Sequence, residues 1–286
     1  KRMIHEAAQA GVNACKFQVY HADTLAAKDA PAYWDTTKTP QKTQHALFAL
    51  FECWAPSVYA ELALECEQAG IDFLVSAFDE ELVKQLNPLV NAWKVASADL
   101  TNLPFLQYIA IQGKPVLLST GASSLEEIDT ALKFCRGSPP VSPLVIPLHC
   151  VLSYPTRQED ANLHAISALS EIADAVVGYS DHTLATPDME VLIIAYTLGA
   201  RVIEKHFTLS NQLPGPDHAF ALEPGELAEM VRRVRETQQV LGDGKKTVQP
   251  VEKELREFAR RQVVALKEIS PGEHFTKENA AVLRRG

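Results

Sequence analysis

The chain has 286 residues, 47% of them apolar and 22% charged, and a formal net charge of −9. That length supports a large core, and the acidic balance excludes a general nucleic-acid binder while leaving room for local lysines to hold an anion. No apolar run is long enough to read as a membrane span.

A helix is predicted over Arg2–Gln9, and Lys1-Arg2 leads into it without the pattern of a secretory leader. Residue 1 is Lys rather than Met, so upstream residues are expected. Short β-rich runs then alternate with helical patterns. Strands are predicted at Cys15–Tyr20, Asp72–Ser76, Trp93–Ser97, Pro115–Ser119, Leu144–Cys150, Ala175–Tyr179 and Arg201–His206. Between them, helices are predicted at His45–Ala69, Asp79–Leu86, Asn102–Gln112, Ser124–Phe134, Asn162–Ile172 and Ala185–Leu198, with another at Pro224–Leu241. Gly70 and Gly199 stand where C-caps belong, and Ser123-x-x-Glu126 resembles a capping box.

Regular alternation of strand and helix suggests a parallel sheet. A leading helix followed by seven strands is what a TIM (β/α)8 barrel looks like without its first strand. An open doubly wound sheet is the alternative, but no Gly-rich nucleotide loop follows any strand. The barrel is therefore expected over 1–241. A polar linker follows at 242–259, and 260–286 opens a small β-rich unit, with a strand-like run at Gln262–Lys267 and a turn at Ser270–Glu273. Cys15, Cys53, Cys66, Cys135 and Cys150 are odd in number and lack Cys-x-x-Cys spacing, which fits reduced thiols in a cytoplasmic protein.

Barrels place function at the C-terminal ends of their strands. The polar residues found there are Lys16 and Gln18, Ser76, Lys94 and Ser97, Ser119, Tyr154, Ser180 and His182, and His206. Two lysines with several hydroxyls suit phosphate and carboxylate groups. Taken singly, a strand-end lysine is ordinarily a solvated surface group, Ser76 or Ser123 an N-cap, and His149 a hydrogen-bonded core histidine. His182 and His206 stand one β-helix unit apart and could share a divalent ion. Strand parity puts Val202, Glu204 and His206 on one face and Lys205 on the other, where a structural role is expected. Lys94 and Ser97 have opposite parity, so both face the site only if the strand ends or bulges between them.

Together these segments resemble the N-acetylneuraminate (sialic acid) synthase family. The resemblance rests on Lys16-Phe17-Gln18, Gly113-Lys114-Pro115 with Leu118-Ser119-Thr120-Gly121, and Leu148-His149-Cys150 with Tyr154-Pro155-Thr156. More specific still are Gly178-Tyr179-Ser180-Asp181-His182-Thr183, Glu204-Lys205-His206-Phe207-Thr208 and Pro214-Gly215-Pro216-Asp217-His218. It runs through the whole chain, with Arg260–Gly286 similar to the front of an antifreeze-like (SAF) domain. The implied reaction joins phosphoenolpyruvate to the open-chain aldehyde of N-acetylmannosamine or a related N-acetylated amino sugar, with C–O cleavage releasing phosphate.

By this resemblance His182 and His206 bind a divalent metal, Mn2+ or Mg2+. Lys16, Gln18, Ser76, Lys94, Ser97, Ser119, Tyr154 and Ser180 surround the substrate. Asp217, or alternatively Asp99, positions or deprotonates the attacking water. Arg284 contacts the sugar's N-acetyl group in the partner subunit of a homodimer. Three departures stand out. Relatives carry a Glu-containing motif on an upstream first strand, usually have Glu where Asp99 stands, and often have a polar residue at Leu152. Pseudaminic, legionaminic and 3-deoxy-ulosonate synthases are the neighbouring readings, and a non-catalytic sugar-binding barrel is the reading from another class.

Overall fold

Helical and extended segments alternate in the computed structural model, which describes residues 1–34, 36–37, 39–52, 55–137, 142–173 and 176–284. Cys53 and Ala175 lie outside the described residues. The chain divides into two compact units, Lys1–Val240 and Leu241–Gly286.

The first unit opens with α1 (Arg2–Ala10) and β1 (Ala14–Val19). A short α2 (Ala22–Leu25), α3 (Gln44–Phe48) and α4 (Pro56–Gln68) precede β2 (Asp72–Ala77). The helical pattern from His45 to Ala69 is thus two helices. Pro56 occupies the first turn of α4, where its missing N–H costs nothing and its fixed φ starts a helix better than it continues one. Next come α5 (Glu80–Leu86), β3 (Trp93–Val95), α6 (Leu103–Ala110), β4 (Val116–Ser119) and α7 (Leu125–Arg136). The capping box of α7 is formed by Ser124 and Glu127, one residue beyond the pair expected from sequence.

β5 (Val145–His149), α8 (Ala165–Ile172), β6 (Val177–Asp181), α9 (Glu190–Thr197), β7 (Ala200–Lys205) and α10 (Pro224–Leu241) complete the alternation. α9 starts five residues later than the pattern from Ala185 suggests. Pro187 disfavours helix at the residue before it, and Met189 enters α9 through a left-handed conformation at φ 51°. Gly70 and Gly199 take positive φ after α4 and α9 (73° and 116°), as C-terminal glycines do.

All seven strands are parallel in the order β1-β2-β3-β4-β5-β6-β7. A flat sheet would hold β1 and β7 about 29 Å apart, six spacings of about 4.8 Å. Yet Lys16 on β1 and Glu204 on β7 meet at 3.4 Å. The sheet is therefore curled into a TIM-barrel-like α/β wall; among the described residues no strand joins β7 to β1. Side chains alternate across it. Val75, Val95 and Leu118 point outward, fully buried in one core with Leu106, Ile109 and Leu132 of the helix layer. The residues on either side of them along each strand point inward.

The second unit contains α11 (Lys253–Ala259), inside the stretch read as a linker, and two strands, β8 (Arg261–Ala265) and β9 (Ala280–Arg284). These pair antiparallel, with Arg284 opposite Arg261. The turn expected at Ser270–Glu273 forms, closed by Glu273 N–H donating to the Ser270 carbonyl at 3.0 Å. Asn279 ties the loop together, donating to Glu273 and to the His274 carbonyl.

Candidate active site

The strand register decides which side chains converge. Gln18 pairs with Ser76, Ser76 with Lys94, Lys94 with Leu117, Ser119 with Leu148, Leu148 with Gly178, and Ser180 with Glu204. Parallel partners share a face, so Lys16, Gln18, Ser76, Lys94, Ser119, Ser180 and Glu204 all look into the barrel. His182 and His206 follow β6 and β7 with the same parity. Every inward-facing candidate named from the strand ends therefore lies on one wall.

Glu204 is the centre that sequence reasoning left unassigned. Its Oε1 accepts from Ser180 Oγ at 2.9 Å and from Lys16 Nζ at 3.4 Å, with Lys94 Nζ 4.0 Å away. Burial alone would raise this carboxyl, but Lys16 and Lys94 with the Ser180 hydroxyl outweigh it and hold Glu204 well below the ordinary range. Lys94 is 3% exposed, and burial lowers it to about 8 despite the pull of Glu204. It gives one donor to the Val95 carbonyl at 3.0 Å, leaving two of its three for a ligand. Around the lysines stand hydroxyls. Ser76 Oγ is buried with no partner among the described residues, an arrangement that costs about 1–3 kcal/mol unless a ligand supplies one.

β3 ends at Val95, which removes the parity conflict between Lys94 and Ser97. Ser97 starts a short 3-10 turn, takes a hydrogen bond from Gly121 N–H at 3.0 Å and lies 3.2 Å from Cys150 Sγ. Asp99 ends the same turn, where Asn102 donates to it at 3.2 Å and burial raises its carboxyl. Among the described residues Asp99 makes no hydrogen bond or ion pair with either histidine. Leu152 is exposed at the rim.

His182 and His206 present their rings to one another with centroids 5.4 Å apart. Tyr154 packs against both, tilted on His182 at 4.3 Å and edge-on to His206 at 6.2 Å, and Phe220 closes against His206 at 4.9 Å. Burial lowers His182, and burial with Lys16 and His182 drives His206 down to about 3. Both are neutral at physiological pH, the state a metal ligand requires. His182 Nδ1 is 2.8 Å from the Val151 carbonyl, so it carries the proton and leaves Nε2 with a free lone pair. The donor set thus fits a divalent ion with two imidazole ligands, although among the described residues no third His, Cys, Asp or Glu completes a cluster.

Asp217 stands at the exposed rim with Oδ2 3.5 Å from His206 Nδ1. Protein crowded around its carboxyl raises it above the ordinary value, against the lowering pull of His218 and Lys16. Arg284 lies at the end of β9 in the second unit. On the outer face, His149 bonds to the Ala161 carbonyl at 2.8 Å and stacks on Tyr179, the core role expected of it. Lys205 also turns outward, as strand parity required, to pair with Asp181.

A cavity of about 750 Å3 opens at the other ends of β1 and β2, between Asn13, Leu64 and Asp72. None of the candidate residues lines it, so convergence of chemistry rather than cavity size marks the site. Among the described residues no helix is long and apolar enough to cross a membrane.

Residues 3–246 match the NeuB family. The sequence is 39% identical to an uncharacterized protein of Methanocaldococcus jannaschii, across 100% of this chain and 80% of that one. It is 35% identical to an N,N'-diacetyllegionaminic acid synthase of Legionella pneumophila, across 100% of this chain and 81% of that one. Among solved structures, an N-acetylneuraminic acid (sialic acid) synthetase from Leptospira borgpetersenii, in complex with citrate, superimposes with a TM-score of 0.77 at 32% identity, covering 90% of this chain and 84% of that one.

Proposed function

The chain belongs to the NeuB family, and from that premise we propose that it joins phosphoenolpyruvate to an N-acetylated amino sugar, with N-acetylmannosamine the first substrate to try. The supporting observation is the inner wall itself, where two lysines share one carboxylate beside two neutral histidines.

Lys16 and Lys94, with the hydroxyls of Ser76, Ser97, Ser119 and Ser180, hold the phosphate and carboxylate of phosphoenolpyruvate. Charge-assisted bonds to both ends fix the enol carbon against the sugar aldehyde, and such positioning supplies on the order of several kcal/mol. His182 and His206 would hold a divalent ion, Mn2+ or Mg2+, which supplies Lewis-acid polarisation of the aldehyde oxygen when bound. Tyr154 walls the two rings and narrows access from solvent.

The C3 carbon of the enol bonds to C1 of the sugar, and positive character develops at C2. Water then adds at C2, and the C2–O bond breaks to release phosphate. Asp217 is the base for that water. It stands beside His206, whereas among the described residues Asp99 bonds to neither histidine and is engaged by Asn102. The second unit is read as the front of an SAF domain whose Arg284 binds the N-acetyl group in the partner subunit of a homodimer.

The test is phosphate release from phosphoenolpyruvate, with Mn2+ and a panel of N-acetylated and phosphorylated sugars. Release that requires an N-acetylated sugar and gives a product with the mass of both substrates and one water, less phosphoric acid, supports the reading. Sugar binding without release across the panel would replace it with a non-catalytic barrel.

A further inference from the structure

One residue from each histidine, on the outer face of β6 and β7, lies an acid–base pair that the proposed chemistry does not use. Lys205 Nζ is 2.7 Å from Asp181 Oδ2, with side chains 0% and 1% exposed. The lysine also donates to the Thr183 carbonyl. The Asp181 carboxylate accepts from the Tyr179 hydroxyl at 3.0 Å, Thr183 N–H at 2.9 Å and the Thr183 hydroxyl at 3.1 Å.

Stability alone does not account for this pair. Removing two charges from water costs about as much as their attraction returns, and well-packed apolar residues often serve a core equally well. Its position is more informative. Asp181 and Lys205 are direct partners in the β6–β7 register, and that register shifts between Val177 and Gly178. Beyond such a bulge two strands can pair in alternative alignments, offset by one residue or about 3.3 Å. Only the observed alignment brings Asp181 to Lys205. It also sets Ser180 opposite Glu204 and delivers His182 and His206, the next residues on each strand, side by side. The bonds to Thr183 pin the chain just past His182, whose own carbonyl accepts from Thr156 N–H at 2.9 Å.

We propose that Asp181 and Lys205 form a register lock, a positioning pair that fixes the spacing of the His182 and His206 rings. Its consequence for metal binding rests on the functional reading above; the ring spacing does not.

The experiment compares the wild-type chain with Lys205→Met, Asp181→Asn/Lys205→Met and His206→Ala. Two readouts are taken on samples with native near-UV circular dichroism: Mn2+ affinity, and the nuclear Overhauser contact between His182 and His206 in histidine-labelled protein. The expected result is a 10–100-fold loss of Mn2+ affinity in both lock variants, typical of outer partners of metal ligands. The ring contact should weaken with it. The double variant leaves no buried charge unpaired, so it decides the matter if Lys205→Met does not fold. Wild-type ring contact in the folded double variant would overturn the lock. Manganese affinity unchanged by His206→Ala would overturn the metal reading instead, while the ring contact still decides the lock.

Discussion

β7 supplies a member to each of two acid–base groupings on opposite faces, Lys205 outside and Glu204 inside, and they are built differently. Outside, Asp181 and Lys205 touch at 2.7 Å and are sealed from water. Inside, Glu204 is spread over Lys16 at 3.4 Å and Lys94 at 4.0 Å, with Lys16 and Glu204 about one-fifth exposed. The outer carboxylate has every partner it can use. The inner lysines keep donors to spare, and an arriving phosphate or carboxylate can take them without breaking a closed network. On the proposed reading, the contrast separates a grouping that holds strands from one that binds an anion.

The largest effect that would sharpen this contrast is on the proposed metal ligands. His206→Ala should lower kcat by about 10^3-fold or more, the scale of losing several kcal/mol of charge stabilisation, while the melting temperature moves little. Steady-state phosphate release beside a thermal melt checks it. Lys94→Met comes next. It should cost about 10^2-fold in kcat/KM for phosphoenolpyruvate, as loss of a buried charge partner does. It should also leave stability unchanged or raised, because burial already disfavours the Lys94 charge. A fall in stability with activity intact would assign the inner lysines to the fold and erase the contrast.

Acid–base titration gives a smaller effect. Lys94 is lowered to about 8, so it is charged below that pH and neutral above it. The kcat/KM for phosphoenolpyruvate should therefore fall as pH rises through about 8, and Lys94→Arg should flatten that limb. Stability should respond with the opposite sign. Between about 8 and the ordinary 10.5 the unfolded chain binds the extra proton, so this residue's contribution to folding improves as pH rises. Smallest of all, Ser124→Ala should cost about 1 kcal/mol in a denaturant melt by removing the cap of α7, with turnover unchanged.

Part of the inner wall was legible in the sequence. Position at the strand ends picked out Lys16, Ser76, Lys94, Ser119 and Ser180, and alternation along the last strand put His206 inside and Lys205 outside; that all the inner residues share one face follows only from the register across strands. Glu204 carried the same signal, the same parity as His206, but an acid between an apolar run and a lysine looks ordinary until the fold brings β1 round to meet it. Short elements defeated the pattern. A three-residue β3 has too little alternation to show where it stops, so Ser97 looked out of phase. The helix across Pro56 and the late start of α9 after Pro187 were overridden by local proline geometry rather than by packing. The approach of Asp217 to His206 depends on the path of a loop containing Pro214, Gly215 and Pro216, which has no period to read. There the family resemblance, rather than spacing, supplied the residue.

The central claim is that this inner wall joins two carbon atoms and expels phosphate by breaking a carbon–oxygen bond. Phosphoenolpyruvate labelled with 18O at the bridging oxygen tests it directly, with N-acetylmannosamine and Mn2+, on the wild-type chain and on Lys94→Met. The account predicts that the released phosphate carries the label, and that Lys94→Met slows its appearance. Unlabelled phosphate would mean cleavage at phosphorus and would contradict the account.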